Sequence, residues 1–325
     1  MKISILLPYK ENFSPNYPGA VSLFVNDTLK LSQYKKNIKV FGNTSYKKKF
    51  SRNYKNIKLK KIFFGSQSEN YMDEFIKHEK SNPSNIIEIH NRPHYLKYLI
   101  NEGVKSKFVL YFHNDPLTMT GSKNLSERKY LVDICEKIIF NSLWSKKRFL
   151  ENISAGSVNS EKLIVIFQSA SKNKINLKNK KNYICYSNKS NDFIKKIEKF
   201  TKVKMIKLSG FNNSQLINIY KKTKIYLDFG YHPGKDRMPR EAAIFNNCII
   251  TNKRGSAKNK YDIPINEKYK FEENYSSLSK IKTQILKIFK DYKNELKNFE
   301  PYKKKIINEK NSFIKDLKNI FKKKR

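Results

Sequence analysis

Ile225-Tyr-Leu-Asp-Phe-Gly-Tyr-His-Pro-Gly-Lys-Asp-Arg-Met-Pro-Arg-Glu-Ala-Ala243 is the stretch on which the reading of this chain turns. Its apolar start, 225–229, has the length and composition of a buried strand. A loop with two glycines, two prolines and a cluster of charge follows, and a helix begins near Pro239, since proline suits a first helical turn. In open α/β sheets, ligands bind outside the carboxyl ends of the strands. Lys235, Arg237 and Arg240 beside a helix N-terminus suit a phosphate, because free main-chain N–H groups and the helix dipole favour an anion and the cations neutralise it. Glu241, near the same N-terminus, is placed to accept hydrogen bonds from a ribose diol. The stretch also reads as a surface loop with ordinary ion pairs. Glycine, proline and arginine are scarce elsewhere in the 325 residues and crowd here, which favours a ligand loop.

Outward from this stretch, short apolar runs alternate with helical patterns. Tyr183 to Tyr186, Lys204 to Leu208 and Cys248 to Thr251 read as strands, and 192–200, 213–222 and 240–246 as helices, with Asn213 or Ser214 capping the second of these. The first half repeats the alternation. Strands are expected at 2–7, 38–41, 86–89, 108–112, 137–141 and 163–167, and helices at 19–33, 127–136 and 145–151. Alternation of this kind implies βαβ units and parallel sheets. The polar, aperiodic stretch 169–181 is the expected linker between an N-terminal domain, 1–168, and a C-terminal domain, 182–300; a basic terminal helix, 301–325, completes the chain.

The formal charge is +40, yet only eight of the 68 basic residues are arginine. Two readings stay open: a solvated lysine surface, or attraction to a polyanion such as nucleic acid or an anionic membrane face. Base reading uses arginine, asparagine and glutamine at defined sites, and dispersed lysine does not point there. No apolar run approaches the length that spans a bilayer, and residues 1–8 lack the features of a signal peptide, so a cytoplasmic protein is expected. Cys135, Cys185 and Cys248 follow no metal-ligand spacing and read as small buried hydrophobes.

The layout of strand, glycine-containing loop, helix opening with Glu241-Ala242-Ala243, then the strand Asn247 to Asn252 and Gly255 resembles the GT-B glycosyltransferases, specifically the family 4-like group (glycosyl transferases group 1), as a divergent subgroup. The resemblance implies two Rossmann-like domains facing across a cleft, with C-terminal helices returning to the first domain. It implies that Glu241 holds the ribose of a nucleoside-diphosphate sugar, and that transfer proceeds with retention. Two departures are visible. A second glutamate that the family places eight positions earlier is Pro233 here, and Asn246 replaces the usual glycine of the turn. The missing glutamate ordinarily contacts the donor sugar, so Lys235, Asp236 or Arg237 are candidates for that work.

The N-terminal half carries further candidates. Gly19 and Ala20 open the first helix, permit close backbone approach and resemble the family's glycine loop facing the donor diphosphate; a plain strand–helix turn is the alternative. His90 and His113 end two strands with polar flanks. In the family a histidine after the corresponding strand lines the acceptor side, which makes His113, with Asp115, the catalytic candidate and His90 and Asn114 its acceptor-side companions. A metal site from His90, His94 and His113 is not expected, because these spacings carry no ligand signature. No Asp-x-Asp occurs, so protein cations and a helix dipole, rather than a metal, are expected to neutralise the leaving diphosphate; Lys189 is a further candidate for this. No cofactor is expected beyond the nucleotide-sugar donor. The expected acceptor is a carbohydrate or lipid-linked glycan, in bacterial surface polysaccharide or lipopolysaccharide synthesis.

In 302–325, Ile306, Ile307, Phe313, Ile314, Leu317, Ile320 and Phe321 share a helical face against many lysines. This reads as a terminal helix packed on the protein or as a basic amphipathic helix touching an anionic membrane. Two other functions fit parts of the sequence: a basic nucleic-acid-binding protein, which no zinc-finger, helix-turn-helix or RNA-motif signature supports, and a non-catalytic scaffold of the same fold, which Pro233 keeps open.

Overall fold

The structure, a computed structural model, describes residues 1–60, 65–154, 160–166 and 177–322. The chain divides into two compact units: 1–166 together with 313–325, and 167–312.

The first unit runs β1 (Ile3–Leu6), α1 (Ala20–Leu31), β2 (Ile38–Gly42), β3 (Tyr54–Asn56), α2 (Gln67–Ser81), β4 (Ile86–His90), α3 (His94–Asn101), β5 (Lys107–Phe112), α4 (Leu125–Ile134), β6 (Cys135–Phe140), α5 (Leu143–Phe149) and β7 (Leu163–Val165). Its sheet is parallel in the order β3-β2-β1-β4-β5-β6-β7. The two faces are built differently. One buries Ile87, Ile89, Leu110, Phe112, Ile138 and Phe140 under α2 to α5. The other carries Ile5, Val109, Tyr111 and Ile139 against Phe24 of α1 and Phe313 from the far end of the sequence. Period-2 alternation sends the even and odd residues of each strand to these two cores.

The second unit runs β8 (Lys181–Ser187), α6 (Phe193–Thr201), β9 (Met205–Leu208), α7 (Asn213–Lys222), β10 (Thr223–Asp228), α8 (Arg237–Ile244), β11 (Cys248–Asn252), β12 (Lys270–Phe271), α9 (Tyr275–Lys290), α10 (Tyr292–Lys297) and α11 (Glu300–Ile320), the last turns of which belong to the first unit. This sheet is also parallel, in the order β12-β11-β10-β8-β9. A third core fills this unit, and in each of the three every fully buried Leu, Ile or Phe contributes about 1.5–3 kcal/mol.

Several local expectations change. Asn212, not Asn213 or Ser214, caps α7: its side chain accepts the Gln215 N–H at 3.0 Å, and the Gln215 side chain accepts the Asn212 N–H at 2.9 Å. Helix α8 begins at Arg237, two residues before Pro239. Asn246 takes a left-handed conformation (φ 58°), which asparagine tolerates at a helix end better than other side-chain-bearing residues. On α11 the buried stripe is Tyr302, Ile306, Glu309, Phe313, Leu317 and Ile320, whereas Ile314 is exposed. The apolar side of this helix is therefore packed inside the protein. The stretch 169–176 of the expected linker lies outside the described residues; 177–179 is a short 3-10 turn and 181 opens β8. Among the described residues no helix is long and apolar enough to cross a membrane, and all three cysteines are free and buried.

Candidate functional site

The strand order of the second sheet reverses between β8 and β10, so the crevice outside the carboxyl ends of these two strands is where an open α/β sheet takes a ligand. Lys189 follows β8 and the 229–236 loop follows β10. The two come together at Gly230, which has φ 139° and is tightly placed: a Cβ there would lie 3.1 Å from the Lys189 carbonyl oxygen. The Lys189 side chain is mostly exposed, and its ammonium stands 3.8 Å from Asp236.

His232 sits between two carboxylates, 3.6 Å from Asp228 and 3.8 Å from Asp236, and donates from Nε2 to the Asp228 carbonyl oxygen at 3.1 Å. Burial opposes charge on this ring, but the two carboxylates outweigh it and lift its pKa to about 9. Burial pushes Asp228 up to about 6. At neutral pH the loop is therefore held by an imidazolium between carboxylates. Ser256 N–H donates to the His232 carbonyl oxygen at 3.0 Å, which ties the loop after β11 to the loop after β10. Gly255 (φ 56°) makes this contact possible; a Cβ there would stand 2.2 Å from the same oxygen.

Four of the expected cations occupy distinct environments. Lys235 and Arg240 are buried and both pair with Glu309 of α11. Burial, then the neighbouring guanidinium of Arg240, brings the Lys235 ammonium down to about 7. Arg237 pairs with Glu241 one turn along α8. Lys189 alone of these presents most of its side chain to solvent. The expectation that Lys235 and Arg240 meet a ligand phosphate thus finds an arrangement in which their charge is answered by Glu309 and they fix the loop and helix in place. Arg237 and Glu241, partly exposed at the start of α8, together with Lys189 remain at the surface of the crevice.

Glu273, just past β12, gathers the strand ends. It accepts the Gly230 N–H at 2.9 Å, the Asn252 amide at 2.6 Å, the Asn191 amide at 2.7 Å and the Arg254 guanidinium at 3.1 Å. These donors outweigh burial and hold its pKa below the ordinary carboxylate value. Sequence reasoning passed over Glu273 and Glu309. The signal for Glu309 was its place on the apolar stripe of a lysine-rich helix.

In the first unit His90 and His113 are brought together, with His90 Nδ1 and His113 Nε2 2.8 Å apart and the rings stacked at 22°. His90 Nε2 lies 2.8 Å from Glu88 Oε1. His113 is partly exposed; its main-chain N–H donates to Asn91 Oδ1 at 2.7 Å and its carbonyl oxygen accepts from Asn141 at 2.8 Å. Asn114 next to it is exposed. Asp115 is buried and differently occupied: it caps the turn Pro116–Thr118 by accepting the Leu117 N–H at 3.0 Å, and it lies 3.5 Å from Arg148. Its geometry is that of a residue holding the loop after β5. His94 opens α3, apart from the other two histidines, under Gly121, and no cluster of metal-binding side chains occurs among the described residues.

The Gly19–Ala20 turn holds an internal anion. Glu11 Oε1 accepts the Ser22 N–H at 3.0 Å, and a Cβ at 19 would lie 2.0 Å from that oxygen, so a side chain there would displace the carboxylate. The positive end of α1 is thus met by a carboxylate of the protein itself.

No protein-family model matches the chain. No curated protein matches it in sequence. Solved structures match along nearly the whole length. Sucrose-phosphate synthase from Thermosynechococcus elongatus is 9% identical with TM-score 0.71, covering 99% of this chain and 98% of that one. HepE from Anabaena, solved with UDP and glucose, is 12% identical with TM-score 0.68, covering 98% and 99%. The lipopolysaccharide outer core galactosyltransferase WaaB is 10% identical with TM-score 0.64, covering 98% and 100%. The fold of this chain is that of the GT-B glycosyltransferases.

Proposed function

We propose that the chain is a glycosyltransferase that moves a sugar from a nucleoside-diphosphate sugar to a carbohydrate or lipid-linked glycan acceptor. The observation that carries this reading is the crevice at the β8/β10 switch point, where Lys189, the glycine-tightened loop at 230 and the Arg237–Glu241 pair at the start of α8 stand together. There Lys189, Arg237 and the α8 N-terminus offer positive charge to a diphosphate without a metal. Glu241, once released from Arg237 by the ligand's own anion, accepts from the ribose hydroxyls. Lys235 and Arg240 shape this crevice through Glu309. Gly19 and Ala20 belong to the donor side of the reading and His113, His90 and Asn114 to its acceptor side, with the two units taken as acceptor-side and donor-side domains and the sugar transferred with retention.

Binding of UDP by HepE favours a uridine donor as the first to be tried. A thermal-shift screen across UDP-, GDP-, ADP- and CMP-sugars tests the proposal, because a ligand bound to the folded state raises the melting temperature by mass action. One class is expected to raise it. Lys189→Ala and Glu241→Ala are each expected to weaken that donor about 10- to 100-fold in calorimetry, the equivalent of about 1–3 kcal/mol for charge-assisted bonds. A flat screen, with tight salt-sensitive binding to DNA or RNA instead, would replace the reading with the nucleic-acid one. Donor binding without turnover would replace it with a scaffold.

A further inference from the structure

Glu88 is out of place. It lies in the middle of β4 among Ile86, Ile87 and Ile89, opposite Ile5 of β1 and Val109 of β5, with no solvent exposure. A buried carboxyl group costs several kcal/mol unless it is hydrogen-bonded or neutral. One oxygen, Oε1, meets His90 Nε2; among the described residues the other has no partner. His90 then meets His113, the one member of the row that reaches the surface. The three side chains form a single file from the sheet interior to the carboxyl end of β5.

We propose that Glu88, His90 and His113 are a proton wire, by which a proton taken up at His113 Nδ1 is stored on Glu88 while both imidazoles stay neutral. The two hydrogen bonds admit two arrangements, because each shared proton can sit on either atom. With Glu88 ionised, His90 Nε2–H donates to Glu88 Oε1, His113 Nε2–H donates to His90 Nδ1, and His113 Nδ1 carries a bare lone pair. A proton arriving at that lone pair displaces the His113 Nε2 proton onto His90 Nδ1. The His90 Nε2 proton in turn moves onto Glu88. The file ends with Glu88 as the acid and both rings protonated at Nδ1. One proton has entered, the file has gone from one negative charge to none, and no ring has become a cation.

The surroundings favour this over a charged histidine. Phe24 of α1 and Phe313 of α11 pack edge-on against the histidine rings and against Phe24 respectively, and Tyr111 of β5 stacks on His90. Ile5, Val109 and Ile139 supply the neighbouring strands. The Asp316 carboxyl of α11 acts on the Tyr111 hydroxyl beside Glu88, and Lys107 and Lys137 stand on this face toward the amino ends of β5 and β6. Burial, joined at His113 by the His90 ring, is what acts on the two imidazoles, and it opposes an imidazolium. Burial lowers His90 to about 3 and, with the His90 ring beside it, lowers His113 too, while burial lifts Glu88 to about 8. The carboxylate is the better proton acceptor of the three.

In glycosyl transfer with retention, on which this use of the wire rests, the bond from the anomeric carbon to the diphosphate breaks first, its electron pair leaving with the nucleoside diphosphate. The acceptor oxygen then bonds to that carbon on the face the diphosphate left, as its O–H proton passes to His113 Nδ1. The stored proton returns to solvent through His113 after product leaves. Glu88 and His90 are positioning residues here, and His113 is the group that meets the acceptor.

The test uses the free full-length protein, labelled with ¹⁵N-histidine, and follows the ring nitrogens by two-bond ¹H–¹⁵N spectra from about pH 5 to about pH 10. His90 and His113 are expected to stay neutral and to move together from Nδ1–H to Nε2–H as pH rises, with one shared midpoint. Glu88→Gln keeps the shape but cannot take the proton, so the switch is expected to vanish. An imidazolium on either ring within this range, separate midpoints, or a switch that survives in Glu88→Gln would overturn the wire; the wild-type titration decides the matter even if the variant does not fold. Because the measurement needs no donor, a failed nucleotide-sugar screen overturns the transferase reading separately.

Discussion

Glu273 accepts the main-chain N–H of Gly230 across 43 residues of sequence, and with the same carboxylate takes the side chains of Asn191, Asn252 and Arg254. The loops after β8, β10 and β11 therefore share one acceptor. Glu273→Ala leaves an N–H, two amides and a guanidinium short of it, and is expected to cost about 1–3 kcal/mol in urea unfolding at neutral pH. The folded-state pKa lies below the ordinary 4.5. The stabilisation is thus fully present above that value and is lost as pH falls through the folded pKa. Glu273→Gln is expected to remove this acid-side slope. An unchanged slope would show that the carboxylate's charge is immaterial.

Glu309 pairs with two buried cations, Lys235 and Arg240. Removing one partner from a buried ionic group leaves uncompensated charge, so Glu309→Ala is expected to cost about 3–5 kcal/mol. The exposed Lys195–Asp192 pair is the control, and its loss is expected to leave the unfolding midpoint in place. Equal effects from the two changes would refute the assignment of Glu309 as the fixed point of the α8 loop.

Glu88 carries a stability signature of its own. Its folded pKa, about 8, lies above the model-peptide value of 4.5. Between these values the folded protein binds the proton and the unfolded chain does not, so its contribution falls as pH rises through that window. Glu88→Gln cannot ionise. The variant is expected to gain on the wild type steadily from about pH 4.5 to about pH 8, as measured by urea midpoints at several pH values. A constant difference would rule out a raised pKa.

Gly255 separates folding from binding. With a left-handed backbone and the His232 carbonyl oxygen where a Cβ would go, Gly255→Ala must push the two loops apart. It is expected to leave a folded protein, by circular dichroism, that binds nucleotide sugar at least 10-fold more weakly in calorimetry, an effect on the order of 1.4 kcal/mol. Undiminished binding would place the donor elsewhere.

The strands were legible because parallel strands buried on both faces are near-continuous apolar runs, as in Ile86 to Ile89 and Ile225 to Phe229. Strand β3, with Tyr-Lys-Asn, has no such run, and its pairing with β2 is a tertiary fact. Helix α2 is polar overall, and its readable mark was the Ser66–Glu69 capping box. Glycine and proline marked the loop at 230–239, but not which of its cations are spent inside the protein: the Arg240 partner is 69 residues away. Both histidines were visible at strand ends. The carboxylate behind them looked like one charge in an apolar strand, and only the register of β4 beside β5 shows it to be the end of a file.

The core under Phe24 has an unusual membership. Phe313, Leu317, Ile320 and Phe321 complete it, and all of them follow the whole of the second unit in the sequence. A ribosome that has just finished β7 has therefore delivered a sheet with one face only partly covered, by α1. That face must be kept from other chains until the last turns of α11 emerge. A chain cut short before residue 313 is expected to leave part of this apolar face exposed.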